Sequence, residues 1–191
     1  MATRHWVGGG GNWSDTAHWS DTSGGPSGFG GFSVPTAIDD VIVDSASGGI
    51  PVINAAAECN DLTISGTGST ATMTLSADIT CHGTMTITGA SPQYPINLIS
   101  DAAGVQRQVS AASTALTRCQ FRDIAGAGAA SPFTGTRMGD MGGNSGITFD
   151  APLTLYRYQP TSGNATWISA GQWFLGSGGT GGAGRDPLPQ D

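Results

Sequence analysis

From Leu62 to Thr88 the sequence reads LTISGTGSTATMTLSADITCHGTMTIT, in which apolar residues alternate with Thr and Ser in short runs. The runs centre on three apolar-x-apolar triplets that begin at Leu62, Met73 and Met85. Alternation with a period of two over such short spans is typical of half-buried β-strands. The triplets begin 11 and 12 positions apart, so this stretch predicts a strand at nearly regular intervals.

The pattern continues on both sides of this stretch. Val41-Ile42-Val43 begins 21 positions before Leu62, with Val52-Ile53 halfway between them, and Ile96-Asn97-Leu98 begins 11 positions after Met85. Segments rich in Gly, Ser and Pro separate the triplets and leave no room for crossover helices. The chain is therefore predicted to be all-β, and a doubly wound parallel α/β fold is excluded.

Two all-β architectures fit this spacing. One is a β-solenoid, or β-helix, with two strands in each coil of about 22 residues, and the alternative is an antiparallel β-sandwich. We favour the solenoid because Cys59–Gly66 and Cys81–Gly89 superpose with one residue inserted, as stacked coils require. A further strand is predicted at Arg118–Ile124, followed by a long Gly-rich loop over 126–147.

The two ends of the chain carry copies of one Gly- and Trp-rich pattern. Each copy contains two Trp residues six positions apart and closes with Pro-x-x-x-Asp. These features fall at Trp13, Trp19, Pro35 and Asp39 in the first copy, and at Trp167, Trp173, Pro187 and Asp191 in the second. The Val41 strand follows the first copy directly, whereas the second copy stops at Asp191. We expect the sequence to be a segment of a longer protein; the alternative is that the partial copy serves as a cap or docking element.

These features divide the chain into four parts. They are an N-terminal Gly/Trp module (1–40), a β-repeat region (41–125), a Gly-rich loop with a connecting strand (126–154), and a truncated second copy of the module (155–191).

The tryptophans are the candidate binding residues. They are Trp6, Trp13, Trp19, Trp167 and Trp173. Indole faces can stack on sugar rings, but recurrence at fixed spacing favours packing. In the packing interpretation the indoles cover the end of a β-stack, Asp15-Thr16-Ala17 forms a tight turn, and the indole N–H groups bond to carbonyls.

Composition excludes several classes of function. The net charge is −7, Lys is absent and the seven Arg residues form no cluster, which argues against nucleic-acid binding. No apolar run approaches the ~20 residues of a membrane span, and the N-terminus lacks the features of a secretory signal. Cys59, Cys81 and Cys119 are too few and too widely spaced for a disulfide framework, and we expect them to be small buried residues.

No enzyme is predicted, with no catalytic residues, metal site or cofactor. His5, His18 and His82 lack metal-ligand spacing, and neither a nucleophile elbow nor a phosphate loop occurs. Asp39-Asp40, with Asp44 nearby, could act as the acid and base of a glycan-degrading solenoid, but a polar turn before a strand is the favoured interpretation. The segment Asp140–Gly146 resembles a calcium loop only in its Asp, Asn and Gly content.

The stretch Arg4–Ser20, with Pro35–Val43 after it, resembles the openings of Gly- and Trp-rich virion proteins of tailed bacteriophages. A weaker likeness exists to autotransporter-type β-helix passengers. The resemblance covers residues 4–43 and 156–191. It implies a non-enzymatic structural or host-contacting role in the virion, as a tail fibre or spike component or a capsid decoration or head-fibre protein.

The partners expected on this basis are other virion proteins, symmetry copies forming a homotrimer, and a host surface glycan. The alternatives are an extracellular glycan-binding adhesin module and a polysaccharide-degrading spike. Exposed Trp pairs would favour the first alternative, and a cleft with two facing carboxylates would favour the second.

Overall fold

The computed structural model describes residues 2–25, 32–44, 49–157, 170–182 and 185–191. This part of the chain is all-β, as predicted, with two one-turn 3-10 helices at Thr16–His18 and Ala170–Gln172. The first nine strands are β1 Thr3–Trp6, β2 Gly11–Asn12, β3 Trp19–Ser20, β4 Asp40–Asp44, β5 Pro51–Val52, β6 Ala57–Cys59, β7 Leu62–Ser65, β8 Ala71–Leu75 and β9 Ile79–Thr88. The remaining strands are β10 Ile96–Ser100, β11 Arg107–Thr117, β12 Cys119–Arg122, β13 Ile124–Ala127, β14 Gly135–Thr136, β15 Gly139–Asp140, β16 Tyr156–Arg157, β17 Trp173–Gly176 and β18 Thr180–Gly182.

Two sheets contain most of the strands. The first has the order β13-β11-β9-β7-β4-β1-β3, with β6 and β14 pairing with β9 and β11, and the second has the order β15-β12-β10-β8. All pairs in these two sheets are parallel except β1 with β3. The antiparallel sandwich is therefore wrong for both sheets, because its neighbouring strands would run in opposite directions.

Successive apolar triplets alternate between the two sheets. Leu62 on β7 pairs with Met85 on β9 in the first sheet, while Met73 on β8 pairs with Leu98 on β10 in the second. Cys59 pairs with Cys81, and Ile64 pairs with Ile87. The predicted superposition of Cys59–Gly66 on Cys81–Gly89 is confirmed, and the inserted residue lies between Cys81 and Met85.

One hydrophobic cluster runs through the molecule from Trp6 to Met138. In-register pairing places like residues above one another, so Met73, Leu98 and Phe121 form a fully buried column. Burying each such side chain contributes about 1.5–3 kcal/mol. The first Gly/Trp module shares this cluster and this sheet, because β1 pairs with β4.

The strand predicted over Arg118–Ile124 is interrupted. β12 ends at Arg122, Asp123 has a left-handed φ of 54°, and Ile124 begins β13 in the other sheet. Asp tolerates this conformation better than most residues with a side chain. The turn at Asp123 reverses the alternation of the side chains, so Phe121 and Ile124 are both buried.

The predicted loop over 126–147 is wrong in detail, since it contains the end of β13 together with β14 and β15. Isolated bridges also join Ala125 to Ser145 and Phe133 to Ile147. These pairings escape sequence analysis because each strand spans only a few small residues. A Cβ on Gly126 would lie 2.4 Å from the carbonyl oxygen of Gly146, so close packing of the backbones requires Gly at this position.

Candidate functional site

Three of the five candidate tryptophans form one cluster at the β1–β3 end of the first sheet. The ring of Trp19 packs edge-on against Trp6 and Trp13, with centroids 5.1 and 4.8 Å away. The Trp19 N–H donates to the Trp13 carbonyl at 2.8 Å, and the Trp6 N–H donates to Gly9 at 2.7 Å. These two indole N–H groups bond to carbonyls, as expected. The indole N–H of Trp13 has no partner among the described residues.

A tight turn positions this cluster, as the sequence predicted. The Asp15 carboxylate accepts a hydrogen bond from Ala17 N at 2.9 Å and caps the 3-10 helix that leads into Trp19. His18 lies flat on Trp6, with ring centroids 4.6 Å apart, and its Nδ1 is 2.8 Å from the Val7 carbonyl. Since a carbonyl only accepts, Nδ1 carries a proton.

These indoles offer no face to a sugar ring. Trp6, Trp13 and Trp19 are 1%, 2% and 1% exposed, and Trp173 is also buried. Trp167 lies outside the described residues. Stacking on a carbohydrate needs an accessible aromatic face, so the burial supports packing rather than binding for the four described tryptophans.

Asp39 joins the start of the chain to the turn that precedes β4. One carboxylate oxygen accepts from Ala2 N at 3.1 Å, and the other accepts from the Thr36 N and Oγ1 at 3.1 and 2.8 Å. Burial alone would raise the pKa of Asp39, but the bonds from Thr36 and Ala2 hold this pKa below its usual value. The carboxylate therefore aligns β1 for pairing with β4.

We expect Asp39→Asn to lower the free energy of unfolding by about 1–2 kcal/mol at pH 7, since a charge-assisted set of bonds is lost. A carboxylate whose pKa is depressed on folding stabilises the fold above the unfolded-state pKa, about 3.9, and this contribution disappears as the pH falls through the folded-state pKa. Urea unfolding at several pH values should show wild type and variant converging below about pH 4. Asp21→Asn, at an exposed position of the same module, should change little at any pH.

The second module repeats the 3-10 helix, the buried tryptophan and the closing aspartate of the first module. Its 3-10 helix, Ala170–Gln172, leads into Trp173, which pairs with Arg157 on β16 as Trp19 pairs with Trp6 on β1. The two carboxylate oxygens of Asp191 accept from Leu153 N and Leu188 N, both at 2.8 Å. Asp191 thus occupies the place that Asp39 has in the first module.

Residues 186–190, near the end of the second module, pack against the β15 edge of the second sheet. The side-chain amide of Gln190 donates to the Met138 carbonyl at 3.1 Å and accepts from Asp140 N at 2.9 Å, as a neighbouring strand would. Asp186 forms an ion pair with Arg137. Sequence analysis missed these three side chains, which lie in Gly- and Pro-rich segments without periodicity.

The carboxylates considered for catalysis are used in structural bonds. Asp40 accepts from Asn60 Nδ2 at 2.7 Å, and Asp39 is bound to Ala2 and Thr36. The side chain of Asp44 lies outside the described part of the chain. None of the three grooves found among the described residues is lined by two carboxylates.

Among the described residues, neither the histidines nor the grooves bring a nucleophile and a base together. His82 contacts Glu58 at 3.4 Å on the surface, while Cys81 next to it points into the core. A groove of about 320 Å³, beside Gly10, Ile50 and Thr70, is lined by no titratable side chain. Neighbouring residues of a strand face opposite sides, so Cys81 and His82 do not form a nucleophile and base pair.

In the segment Asp140–Gly146, which was compared with a calcium loop, the Asp140 carboxylate forms hydrogen bonds within the segment itself. Asp140 accepts from Gly142 N at 2.8 Å and from Asn144 Nδ2 at 2.7 Å. Within the described ranges, no three His, Cys, Asp or Glu side chains are grouped to hold a metal ion. His5 lies on β1.

Cys59, Cys81 and Cys119 are free and buried, as expected. Burial raises the pKa of Cys119 to about 12. The hydrogen bond between Cys59 and Cys81 raises the pKa of Cys59 and lowers that of Cys81.

Comparison with known proteins finds no matching family model, no matching characterised protein and no matching solved structure. Within the described residues, no helix has the length and apolar character needed to cross a membrane.

Proposed function

We propose that the two parallel sheets are the faces of a β-solenoid. The pairs Ala57–Ile79, Cys59–Cys81 and Leu62–Met85 join positions 22 or 23 residues apart, close to the coil length expected from two strands per coil. Successive triplets fall in opposite sheets, as they would in a chain that winds around one core. The shared hydrophobic cluster supports the same interpretation.

We further propose that the chain is a non-enzymatic structural protein of a tailed-bacteriophage virion, such as a fibre, spike, decoration or head-fibre protein. The observation that carries this proposal is the Trp cluster, which packs into the core at one end of the stack and leaves no indole face for a ligand. Asp39 and Asp40, which were considered for catalysis, are engaged in hydrogen bonds to Ala2, Thr36 and Asn60. Such a molecule is suited to a mechanical role.

The partners proposed are other virion proteins and two further copies of the chain in a homotrimer. Ile38 is 63% exposed and Val105 is 48% exposed. Contacts between copies would cover these two side chains. A host surface glycan would contact the assembled particle rather than the buried tryptophans.

Cryo-electron microscopy of purified bacteriophage particles tests the proposal. We expect symmetric copies in the particle, with Ile38 and Val105 at contacts, and light scattering of the purified chain should give three times the 19.2 kDa of one copy. A chain that is a monomer in solution and absent from purified particles would contradict the virion role. The solenoid would be contradicted separately, by an experimental structure with a different winding.

A further inference from the structure

Two of the three cysteines lie opposite each other on neighbouring strands. Cys59 on β6 and Cys81 on β9 are directly paired in the parallel register of the first sheet. Both are free thiols, and they are buried in the core at 0% and 2% exposure. We propose that Cys59 and Cys81 are a disulfide site, which is oxidised by exchange with a low-molecular-weight disulfide such as glutathione disulfide.

The pairing of the strands fits such a bond. Neighbouring strands lie about 4.7–4.9 Å apart, and the Cα atoms joined by a disulfide are usually about 4.4–6.8 Å apart. A directly opposed pair in parallel strands is within this range. The side chains of Cys59 and Cys81 also leave the same face of the sheet, toward the core. The bond can therefore close while β6 and β9 stay paired.

The two sulfur atoms already interact. The Cys59 thiol donates a hydrogen bond to Cys81, and the Cys81 thiol donates to the Asn60 carbonyl at 3.0 Å. The bond from Cys59 lowers the pKa of Cys81 against the opposing effect of burial, and the backbone N–H groups of Gly83 and Leu62 act in the same direction. Cys81 is therefore the thiol that ionises first, with the sulfur of Cys59 beside it.

The reaction is a thiol–disulfide exchange in two steps. The Cys81 thiolate attacks one sulfur of the small disulfide, so that a mixed disulfide forms and the other half leaves as a thiolate. Cys59 then gives its proton to this released thiolate and attacks the Cys81 sulfur. The second half leaves and takes up the proton that Cys81 had lost. Two protein thiols are thus oxidised, while one small disulfide is reduced to two thiols.

Cys119 is excluded from the pair by its position. It lies on β12 in the second sheet, and its sulfur is 3.4 Å from the Ile87 carbonyl. Ile87 follows Cys81 by six residues on β9, a length of roughly 15–20 Å, which a disulfide does not span. One thiol should therefore stay free after oxidation.

The bond would fasten neighbouring layers of the stack. Between Cys59 and Cys81 the chain forms β7, crosses to the second sheet as β8 and returns to the first sheet as β9. Closing this segment covalently restricts the unfolded chain and so stabilises the fold. The inference concerns the stability of this fold and does not depend on whether the chain belongs to a virion.

Refolding in a glutathione redox buffer tests the proposal. The protein is unfolded in urea, where every thiol is accessible, and is diluted into a mixture of reduced and oxidised glutathione. Free thiols are then alkylated and located by mass spectrometry. We expect alkylation of Cys119 alone and a peptide that links Cys59 to Cys81. In the same buffer with urea retained, the ratio of this disulfide to the dithiol should be at least about tenfold lower.

Urea unfolding of the oxidised and reduced forms measures the same factor independently. By linkage, the factor by which folding favours the disulfide is also the factor by which the disulfide lowers the unfolding constant. Cys119→Ala is the matched control, since it also removes a buried thiol but should keep the linked peptide, whereas Cys59→Ala should abolish it. Alkylation of all three cysteines in the refolded wild-type protein would overturn the proposal, as would a disulfide that includes Cys119.

Discussion

Replacing Trp19 by Ala is expected to lower the free energy of unfolding by about 3–5 kcal/mol, the loss that accompanies truncation of a large buried aromatic residue. Trp19 is 1% exposed and lies between Trp6 and Trp13 in the core cluster. Its N–H also satisfies the Trp13 carbonyl. Urea unfolding followed by far-ultraviolet circular dichroism measures the loss without relying on the fluorescence of the residue removed.

Trp173→Ala is the matched control for Trp19→Ala, since the two residues occupy equivalent positions in the two modules. Trp173 lies outside the cluster that contains Trp19, so its removal should destabilise the second module while the main unfolding transition changes by less than about 1 kcal/mol. Equal losses for the two variants would contradict the assignment of Trp19 to the shared core.

The strands with regular alternation could be predicted from the sequence. All five triplets, from Val41-Ile42-Val43 to Ile96-Asn97-Leu98, lie in strands. Apolar residues at every second position bury one face, and a shift by one residue would expose that face. The direction of pairing was left open because alternation is the same in parallel and antiparallel strands.

The weaker strands were missed because their side chains are small. The longest strand, β11, contains the run Ser110-Ala111-Ala112-Ser113-Thr114, and its register shifts between Ala111 and Ser113. The buried apolar residues of β11 are only Val109, Ala111 and Leu116, so its alternation is weak. Such a strand is specified by the strands on either side of it, which a local pattern does not reveal.

The candidate site was predicted in part. Trp173 and Asp191 occupy positions equivalent to those of Trp19 and Asp39. The bond of each Asp to a backbone N–H that precedes the first strand of its module becomes visible only in three dimensions. The hydrogen bonds of Gln190 with Met138 and Asp140 have no counterpart in the first copy, where Ile38 occupies the same position. A side chain that bonds to a distant backbone leaves no periodic signal in the sequence.

Asn144→Ala is expected to lower the free energy of unfolding by about 2–4 kcal/mol, because it leaves a buried amide unpaired and removes two further bonds. Asn144 Oδ1 accepts from Ile124 N at 2.9 Å, and its Nδ2 donates to the Phe121 carbonyl and to Asp140. Phe121 keeps its bond from Met141 N. The unpaired group is therefore the Ile124 amide, at the turn where the chain changes sheets, and urea unfolding measures the loss.

Asn144→Asp separates the roles of the two ends of this side chain. The carboxylate still accepts from Ile124 N, but it lacks the donor and lies beside Asp140, where the amide nitrogen was 2.7 Å from Oδ1. Like charges raise the pKa of the new carboxyl group on folding, so the variant should be least stable at pH 7 and recover as the pH falls toward about 4. Asn97→Ala, which loses one bond to Thr72 at 3.3 Å, should change stability by less than about 0.5–1 kcal/mol. If Asn144→Ala behaved like Asn97→Ala, Asn144 would not fix the turn between the two sheets.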